Sequence, residues 1–92
     1  MDIQNETTMA LYEIRAEIAG NKTIVGAKQL RKALTSGKAH RVYLAQNADP
    51  AITEPLVALC AQYGVSYAWV CSMKDLGQAV GIEVGAAAAA VI

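Results

Sequence analysis

The sequence predicts an α/β fold, specifically a three-layer α/β/α sandwich with a small mixed β-sheet. Segments with an apolar stripe at helical spacing alternate along the chain with short apolar runs of strand length. The 92 residues are 54% hydrophobic with no Phe, so the core must consist of small aliphatic side chains that allow close layer packing. This length predicts one domain, residues 1–92, in which we expect the polar residues 1–8 to be flexible.

The first part of the chain predicts two helices and a strand. An apolar stripe predicts a first helix over about Met9–Ala19, with Thr8 as its candidate cap. The β-rich stretch Thr23–Val25 predicts a strand. A second stripe, which follows Gly26 and ends at Gly37, predicts the best-defined helix.

The middle of the chain predicts a strand, a helix and another strand. Val42–Ala45 is a continuous apolar run, typical of a strand that is covered on both faces. Thr53 is a candidate cap for the next helix, and Pro55 would then fall in its first turn, where proline is tolerated. Gly64 would end this helix, and Val65–Val70 predicts the strand that follows.

The last part of the chain predicts a short helix and a final strand. Ser72 and Asp75 are spaced as in a capping box, which predicts a helix that continues through Val80 and ends at Gly81. Ala86–Ala90 has high intrinsic helix propensity, but even with Val91 and Ile92 the run has only about seven residues, too few to form an isolated helix. We predict a last strand, packed where the helices come too close to admit larger side chains, and this prediction depends partly on the family resemblance given below.

The cysteine count and the terminal segments indicate a cytoplasmic protein. Cys60 and Cys71 are too few for a disulfide framework and match no paired metal-ligand spacing. The polar start of the chain lacks the features of a signal peptide. The longest apolar tract, Gly85–Ile92, is far shorter than the roughly 20 residues of a membrane helix. We therefore expect no membrane association.

The charges of the chain are segregated although the formal net charge is zero. The segment 21–45 contains no acidic residue, whereas the segments 1–20 and 46–92 each carry an excess of three acidic residues. Its six basic residues are Lys22, Lys28, Arg31, Lys32, Lys38 and Arg41. This segregation is compatible with a basic face that binds an anion, or with an ordinary solvated helix face.

Three sequence blocks resemble one known family. Gly26–Leu34 with Gly37–Ala39 forms the first block, Leu44–Pro50 the second, and Ser72–Ala87 the third. In their order and spacing, over about residues 10–92, they are similar to the kink-turn-binding ribosomal proteins, which include the archaeal and eukaryotic large-subunit proteins seven-Ae and thirty-e. The short bacterial members are the most similar. The resemblance implies a single kink-turn-binding domain of this type.

The resemblance also implies a function and a site. A member of this family would be a non-catalytic protein that recognises kink-turn RNA through its sheared G·A pairs and its splayed-out nucleotides. The residues implied are Gly26, Ala27, Lys28, Gln29, Arg31, Lys32, Lys74, Ile82, Glu83 and Val84. Lys28, Gln29 and Lys32 would read bases, and Lys74 would contact phosphate. Gln46 and Asn47 depart from the family, which often has acidic residues there.

Physical chemistry supports such a site without excluding simpler interpretations. A kink-turn exposes guanine O6 and N7, which Lys and Arg can contact, whereas a regular A-form helix hides its base edges. Gly26 permits close backbone approach, and the helix start after it attracts phosphate. Lys28 and Lys32 could equally form a solvated helix face. Ile82 and Val84 could equally be core residues that enter the last strand.

The sequence gives no basis for an enzyme. His40 has no fixed partner, and neither cysteine lies in a nucleophile motif, so we expect no catalytic residue, metal or cofactor. We expect a monomer whose partner is a kink-turn in ribosomal RNA or in a riboswitch, and not DNA. The alternative is an interaction module or ribosome component with the same fold but without independent kink-turn binding. The zero net charge and the amides of Gln46 and Asn47 favour it.

Overall fold

The computed structural model describes residues 8–92, in which it has five strands and four helices. In chain order these are β1 (Thr8–Met9), α1 (Leu11–Ile18), β2 (Thr23–Val25), α2 (Ala27–Thr35), β3 (Arg41–Ala45), α3 (Pro50–Tyr63), β4 (Tyr67–Val70), α4 (Met73–Val80) and β5 (Ala88–Val91). The predicted flexible start, residues 1–8, lies outside the described residues except for Thr8.

The strands form one mixed sheet in the order β1-β4-β3-β5-β2. β4 pairs in parallel with β1 and β3, whereas β5 pairs antiparallel with β3 and β2. Helices α1 and α4 pack together on one face of the sheet, and α2 and α3 pack together on the other. The predicted three-layer α/β/α sandwich with a mixed sheet is therefore confirmed.

The predicted alanine strand is confirmed as β5, which lies between β3 and the edge strand β2. Because side chains alternate along a strand, Ala88 and Ala90 join the core under α2 and α3, while Ala89 and Val91 join the core under α1 and α4. All three alanines are fully buried. The small side chains let both helix layers approach the sheet closely, as the composition predicted.

The first helix begins later than predicted because a short strand precedes it. Thr8 and Met9 pair with Trp69 and Val70 of β4, which uses their backbone in the sheet. Thr8 therefore does not cap α1, and that prediction is wrong. The cap residue is Ala10, whose N–H donates to the Glu13 carboxylate at 2.8 Å.

The third helix begins earlier than predicted. Asp49 is its cap and accepts a hydrogen bond from the N–H of Ala51 at 2.9 Å, and Pro50 occupies the first helical position. Aspartate at the cap followed by proline is a favoured helix start. Thr53 is buried inside the helix and does not cap it, and Pro55 lies beyond the first turn, so both predictions are wrong.

The fourth strand is shorter at its start than predicted. Gly64 has the left-handed backbone conformation that commonly ends a helix, as expected, with φ of 68°. The N–H of Val65 then donates to the carbonyl of Cys60 at 2.9 Å. Val65 therefore completes the end of α3, and β4 begins only at Tyr67. Helix α4 follows the prediction, with Ser72 accepting from the N–H of Asp75.

A polar cluster joins α1 to the central strand. The Glu17 carboxylate accepts hydrogen bonds from the Tyr43 hydroxyl at 2.6 Å and from Nε of Arg41 at 2.8 Å. Burial, and then the bond to Glu17, raises the pKa of Tyr43 to about 12. Burial acts to raise the pKa of Glu17, but the bonds from Tyr43 and Arg41 outweigh it, and the pKa lies below its ordinary value.

We predict that Ala89→Leu destabilises the protein by about 1–3 kcal/mol, because the larger side chain has no space between β5 and the α1/α4 layer. Urea unfolding measures the loss. Ala58→Leu, at an exposed position of α3, is the control and should change the free energy of unfolding little. Equal effects of the two substitutions would show that β5 is not tightly packed.

We also predict that Glu17→Gln makes the stability less sensitive to acid. A carboxyl group with a lowered pKa in the folded state stabilises it above the unfolded pKa, and this contribution is lost as pH falls below about 4.5. The difference in free energy of unfolding between wild type and variant should therefore be larger at neutral pH than in acid. Glu54→Gln, on the exposed surface of α3, should show no such trend. A Glu17→Gln effect independent of pH would contradict the role of this carboxylate.

Candidate nucleic-acid interface

Four connecting loops meet at one edge of the sheet. Because β2, β3 and β4 run in the same direction, their carboxyl ends lie at this edge, and the antiparallel β5 begins there. The loops are β2–α2, β3–α3, β4–α4 and α4–β5. We call this edge, with its four loops, the loop edge. Parallel strands place residues that are distant in sequence next to each other here.

The segment 86–88 holds the loop edge together. It makes backbone hydrogen bonds to the start of α4, to the end of β3 and to the start of α2. The N–H of Ala86 donates to the carbonyl of Met73, the N–H of Ala45 to the carbonyl of Ala87, and the N–H of Gly26 to the carbonyl of Ala88. Each donor nitrogen lies 3.0 Å from its acceptor oxygen. The position of the α4–β5 loop is thus fixed relative to the start of α2.

The start of α2 exposes backbone donors. Gly26 has φ of 106° and ψ of 144°, a conformation that only glycine adopts without strain. No side chain caps this helix, whereas Asp49 caps α3 and Ser72 caps α4. The first amide groups of α2 are therefore available to an anion, whose negative charge the helix dipole also favours.

The exposed face of α2 is basic. Lys28, Gln29, Arg31 and Lys32 are exposed. The buried face of the helix is formed by Leu30, Ala33 and Leu34. The one ion pair found among residues 8–92 joins Arg41 to Glu17, so none of these α2 side chains has an acidic partner there. Their positive charge is available to a ligand.

Arg41 does not belong to the basic face that the segment 21–45 suggested. Its side chain lies with Tyr43 on the α1/α4 side of the sheet, where its guanidinium carbon is 5.7 Å from the Tyr43 ring centre. Its charge is paired with Glu17. The sequence segment is continuous, but alternation of side chains along β3 sends this charge to the opposite face from α2.

The loop Gly81–Gly85 folds back along α4. The N–H of Ile82 donates to the carbonyl of Gly77 at 3.0 Å, and the Val84 carbonyl lies directly against the α-carbon of Gly77. Val84 is 71% exposed, while Ile82 is half-buried against the α1/α4 core. Neither residue is part of β5, which begins at Ala88. The loop therefore presents Val84 and exposed Glu83 to solvent.

Two residues that position the site were not predicted. A methyl group on Gly77 would overlap the Val84 carbonyl, so only glycine allows the loop to lie this close to α4. Asn47 accepts a hydrogen bond from the N–H of Met73 at 2.8 Å, which joins the β3–α3 loop to α4. A glycine inside a helix often indicates close packing, and this signal could have identified Gly77.

The structure places the ten predicted site residues in three segments that meet at the loop edge. The start of α2 carries six of them, exposed Lys74 lies in the first turn of α4, and the loop carries Ile82, Glu83 and Val84. Among residues 8–92 no group of His, Cys, Asp and Glu side chains could hold a metal ion. No helix in that range is both long and apolar enough to cross a membrane.

Comparisons with solved structures agree with the fold. A 15.5 kDa RNA-binding protein of Giardia lamblia superimposes with a TM-score of 0.80 at 25% identity, over 99% of this chain and 82% of that protein. A Bacillus halodurans protein of unknown function superimposes with a TM-score of 0.72 at 23% identity, over 88% of this chain and 79% of that one.

Sequence comparisons identify the family. An RNA-binding protein of Geobacillus sp. (strain WCH70) is 44% identical over 82% of this chain and 92% of its own length. The RNA-binding protein YbxF of Geobacillus stearothermophilus is 40% identical over the same shares. The family comparison confirms both the predicted resemblance and the expectation of a non-enzymatic protein. Residues 10–92 match the ribosomal protein L7Ae/L30e/S12e/Gadd45 family, and the chain belongs to it.

Proposed function

We propose that this protein binds RNA and recognises a kink-turn through two parts of the loop edge. The observation that carries the proposal is the connection between them: the segment 86–88 bonds to the uncapped start of α2 and to the start of α4. One part is basic and rich in donors, and the other presents apolar side chains. RNA-binding proteins at 40–44% identity support RNA as the ligand.

The start of α2 suits the exposed purine edges of sheared G·A pairs. Lys28 and Lys32 would donate to guanine O6 and N7, and the amide of Gln29 can both donate and accept at a purine edge. The Arg31 side chain would contact phosphate. The backbone N–H groups that follow Gly26 and Ala27, which no side chain caps, would also contact phosphate. Regular A-form RNA hides its base edges in a narrow groove, so a bent RNA would be selected.

The loop Gly81–Gly85 suits nucleotides that have left the base stack. Exposed Val84 and half-buried Ile82 offer apolar contact to an unstacked base, and Glu83 offers an acceptor. Lys74, at the start of α4 beside this loop, would contact a phosphate. A loop held against α4 at Gly77 loses little conformational freedom on binding, which favours affinity.

The proposal predicts that the protein prefers a kink-turn RNA over the same RNA with its G·A pairs replaced by Watson–Crick pairs. The replacement removes the accessible guanine edges but keeps the total charge. Titration calorimetry at fixed salt gives both affinities. Equal affinities would contradict the proposal and favour the alternative, a ribosome component or interaction module without independent kink-turn binding.

We predict that Lys32→Ala reduces this preference by about 1–3 kcal/mol, the usual contribution of a good base contact. The affinity for the Watson–Crick RNA should change much less. Arg15→Ala is the control because it also removes one exposed positive charge, but from α1. If both variants weakened binding to the two RNAs equally, Lys32 would act only through its charge.

We predict that Gly77→Ala weakens kink-turn binding at least tenfold without unfolding the protein. The added methyl group must displace the Val84 carbonyl and with it the loop, although alanine favours the helix itself. Gln78→Ala, at an exposed position of the same helix, is the control. Circular dichroism and calorimetry measure folding and affinity. Unchanged affinity of a folded Gly77→Ala variant would remove the loop from the site.

A further inference from the structure

A shallow groove of about 470 Å³ lies beside α2 and continues beyond the site described above. It runs between α2 and the edge strand β2, and it shares Gln29 and Lys32 with the proposed site. It continues along α2 as far as Lys38 in the turn before β3. A helix of the length of α2 spans about 13 Å, so the groove extends well beyond the loop edge.

The groove combines an apolar base with positive charge. Ile24 of β2 and Ile92 are half-buried and line its base. Lys32 and Lys38 are exposed and lie on the same groove, and the segment 21–45 has no acidic residue. The Ile92 N–H donates to the carbonyl of Lys22 at 2.9 Å, which places a third lysine beside Ile92. The charge is therefore complementary to a polyanion.

Two hydroxyl groups in the groove donate to backbone carbonyls of α2. The Thr35 hydroxyl lies 3.1 Å from the carbonyl of Arg31 and 3.2 Å from that of Lys32, and its proton is shared between these two acceptors. The Ser36 hydroxyl likewise donates to the carbonyl of Ala33 at 3.3 Å. With their protons used inside the helix, both oxygens offer lone pairs. An ionised phosphate oxygen has no proton to donate to such a lone pair, whereas a ribose 2′-hydroxyl can donate its proton to it.

We propose that this groove binds the ribose–phosphate backbone of one RNA strand as it leaves the kink. Phosphates would contact Lys38, 2′-hydroxyls would donate to Thr35 or Ser36, and sugar carbons would cover Ile24 and Ile92. This inference rests on the proposed function, because the kink-turn site would place the strand at the start of the groove. It adds a binding surface, residues 35–38 with Ile24 and Ile92, that is absent from the ten predicted residues.

Methyl NMR tests the groove separately from the kink-turn site. The probe is a kink-turn RNA whose two arms are each longer by one helical turn than those of a minimal version. The long-armed RNA should shift the methyl signals of Ile82, Ile24 and Ile92, while Ile18, at the far end of α1 on the other face of the sheet, serves as the control. A shift of Ile82 without Ile24 and Ile92 would overturn the groove and leave the proposed function intact. A shift of Ile24 and Ile92 without Ile82 would support the groove and overturn the loop contact. If none of these signals shifted, both proposals would fail.

Lys38→Gln provides an independent test. It should lower the slope of log affinity against log salt by about one for the long-armed RNA and leave the minimal RNA unaffected. Replacing the arm riboses by 2′-deoxyriboses should weaken wild-type binding severalfold. Arg15→Gln is the charge-matched control, since Arg15 lies on α1 at the other face of the sheet. Equal effects of Lys38→Gln on both RNAs, or no effect of deoxyriboses, would contradict a strand in the groove.

Discussion

The close packing of the alanine strand β5 is the constraint on which the rest of the structure depends. Three fully buried alanines lie between β3 and β2, with a helix pair on each face of the sheet. Pairing of β5 with β2 places Ala88 against Gly26 at the start of α2, and the small side chains let α4 lie close enough for Ala86 to bond to Met73. The geometry of the loop edge therefore follows from the small residues of a strand that makes no contact in the proposed site.

The distribution of charge bears on how a protein with zero net charge could bind RNA selectively. The exposed face of α2 concentrates positive charge, while Glu17 neutralises Arg41 on the opposite side of the sheet. Non-specific affinity for nucleic acid depends mainly on the number of phosphates that are neutralised. In the proposed function, a small basic surface next to the loop Gly81–Gly85 would favour one shape of RNA over general binding to polyanions.

Most of the fold could be predicted from the sequence because the local signals agree with the final packing. The apolar stripe of α2, the glycines that end α3 and α4 and the Ser72 cap all lie where their patterns indicated. The prediction for Thr8 was wrong because this residue belongs to a strand. The prediction for Thr53 was wrong because Asp49, another capping residue, lies just before it in the sequence. The start of α1 depends on the sheet pairing of Thr8, and the start of α3 depends on the pair Asp49-Pro50. A candidate cap taken as a single residue reveals neither the pairing nor the pair.

The site was less predictable because its geometry depends on contacts between distant segments. The resemblance supplied the ten residues, but the approach of Val84 to Gly77 and the bond from Met73 to Asn47 join positions whose relation only the fold defines. The basic segment 21–45 was misleading for a similar reason. Arg41 follows α2 in sequence, yet it enters β3 in the register that faces α1.

Hydrogen–deuterium exchange of the backbone amides, measured with and without a kink-turn RNA, tests the central claim most directly. The claim is that the start of α2 and the loop Gly81–Gly85 form one binding surface that the segment 86–88 connects. We expect slower exchange in residues 27–32 and 81–85 together when the RNA is added, with α3 unchanged. Protection of only one of these two segments, or of α3 in their place, would contradict it.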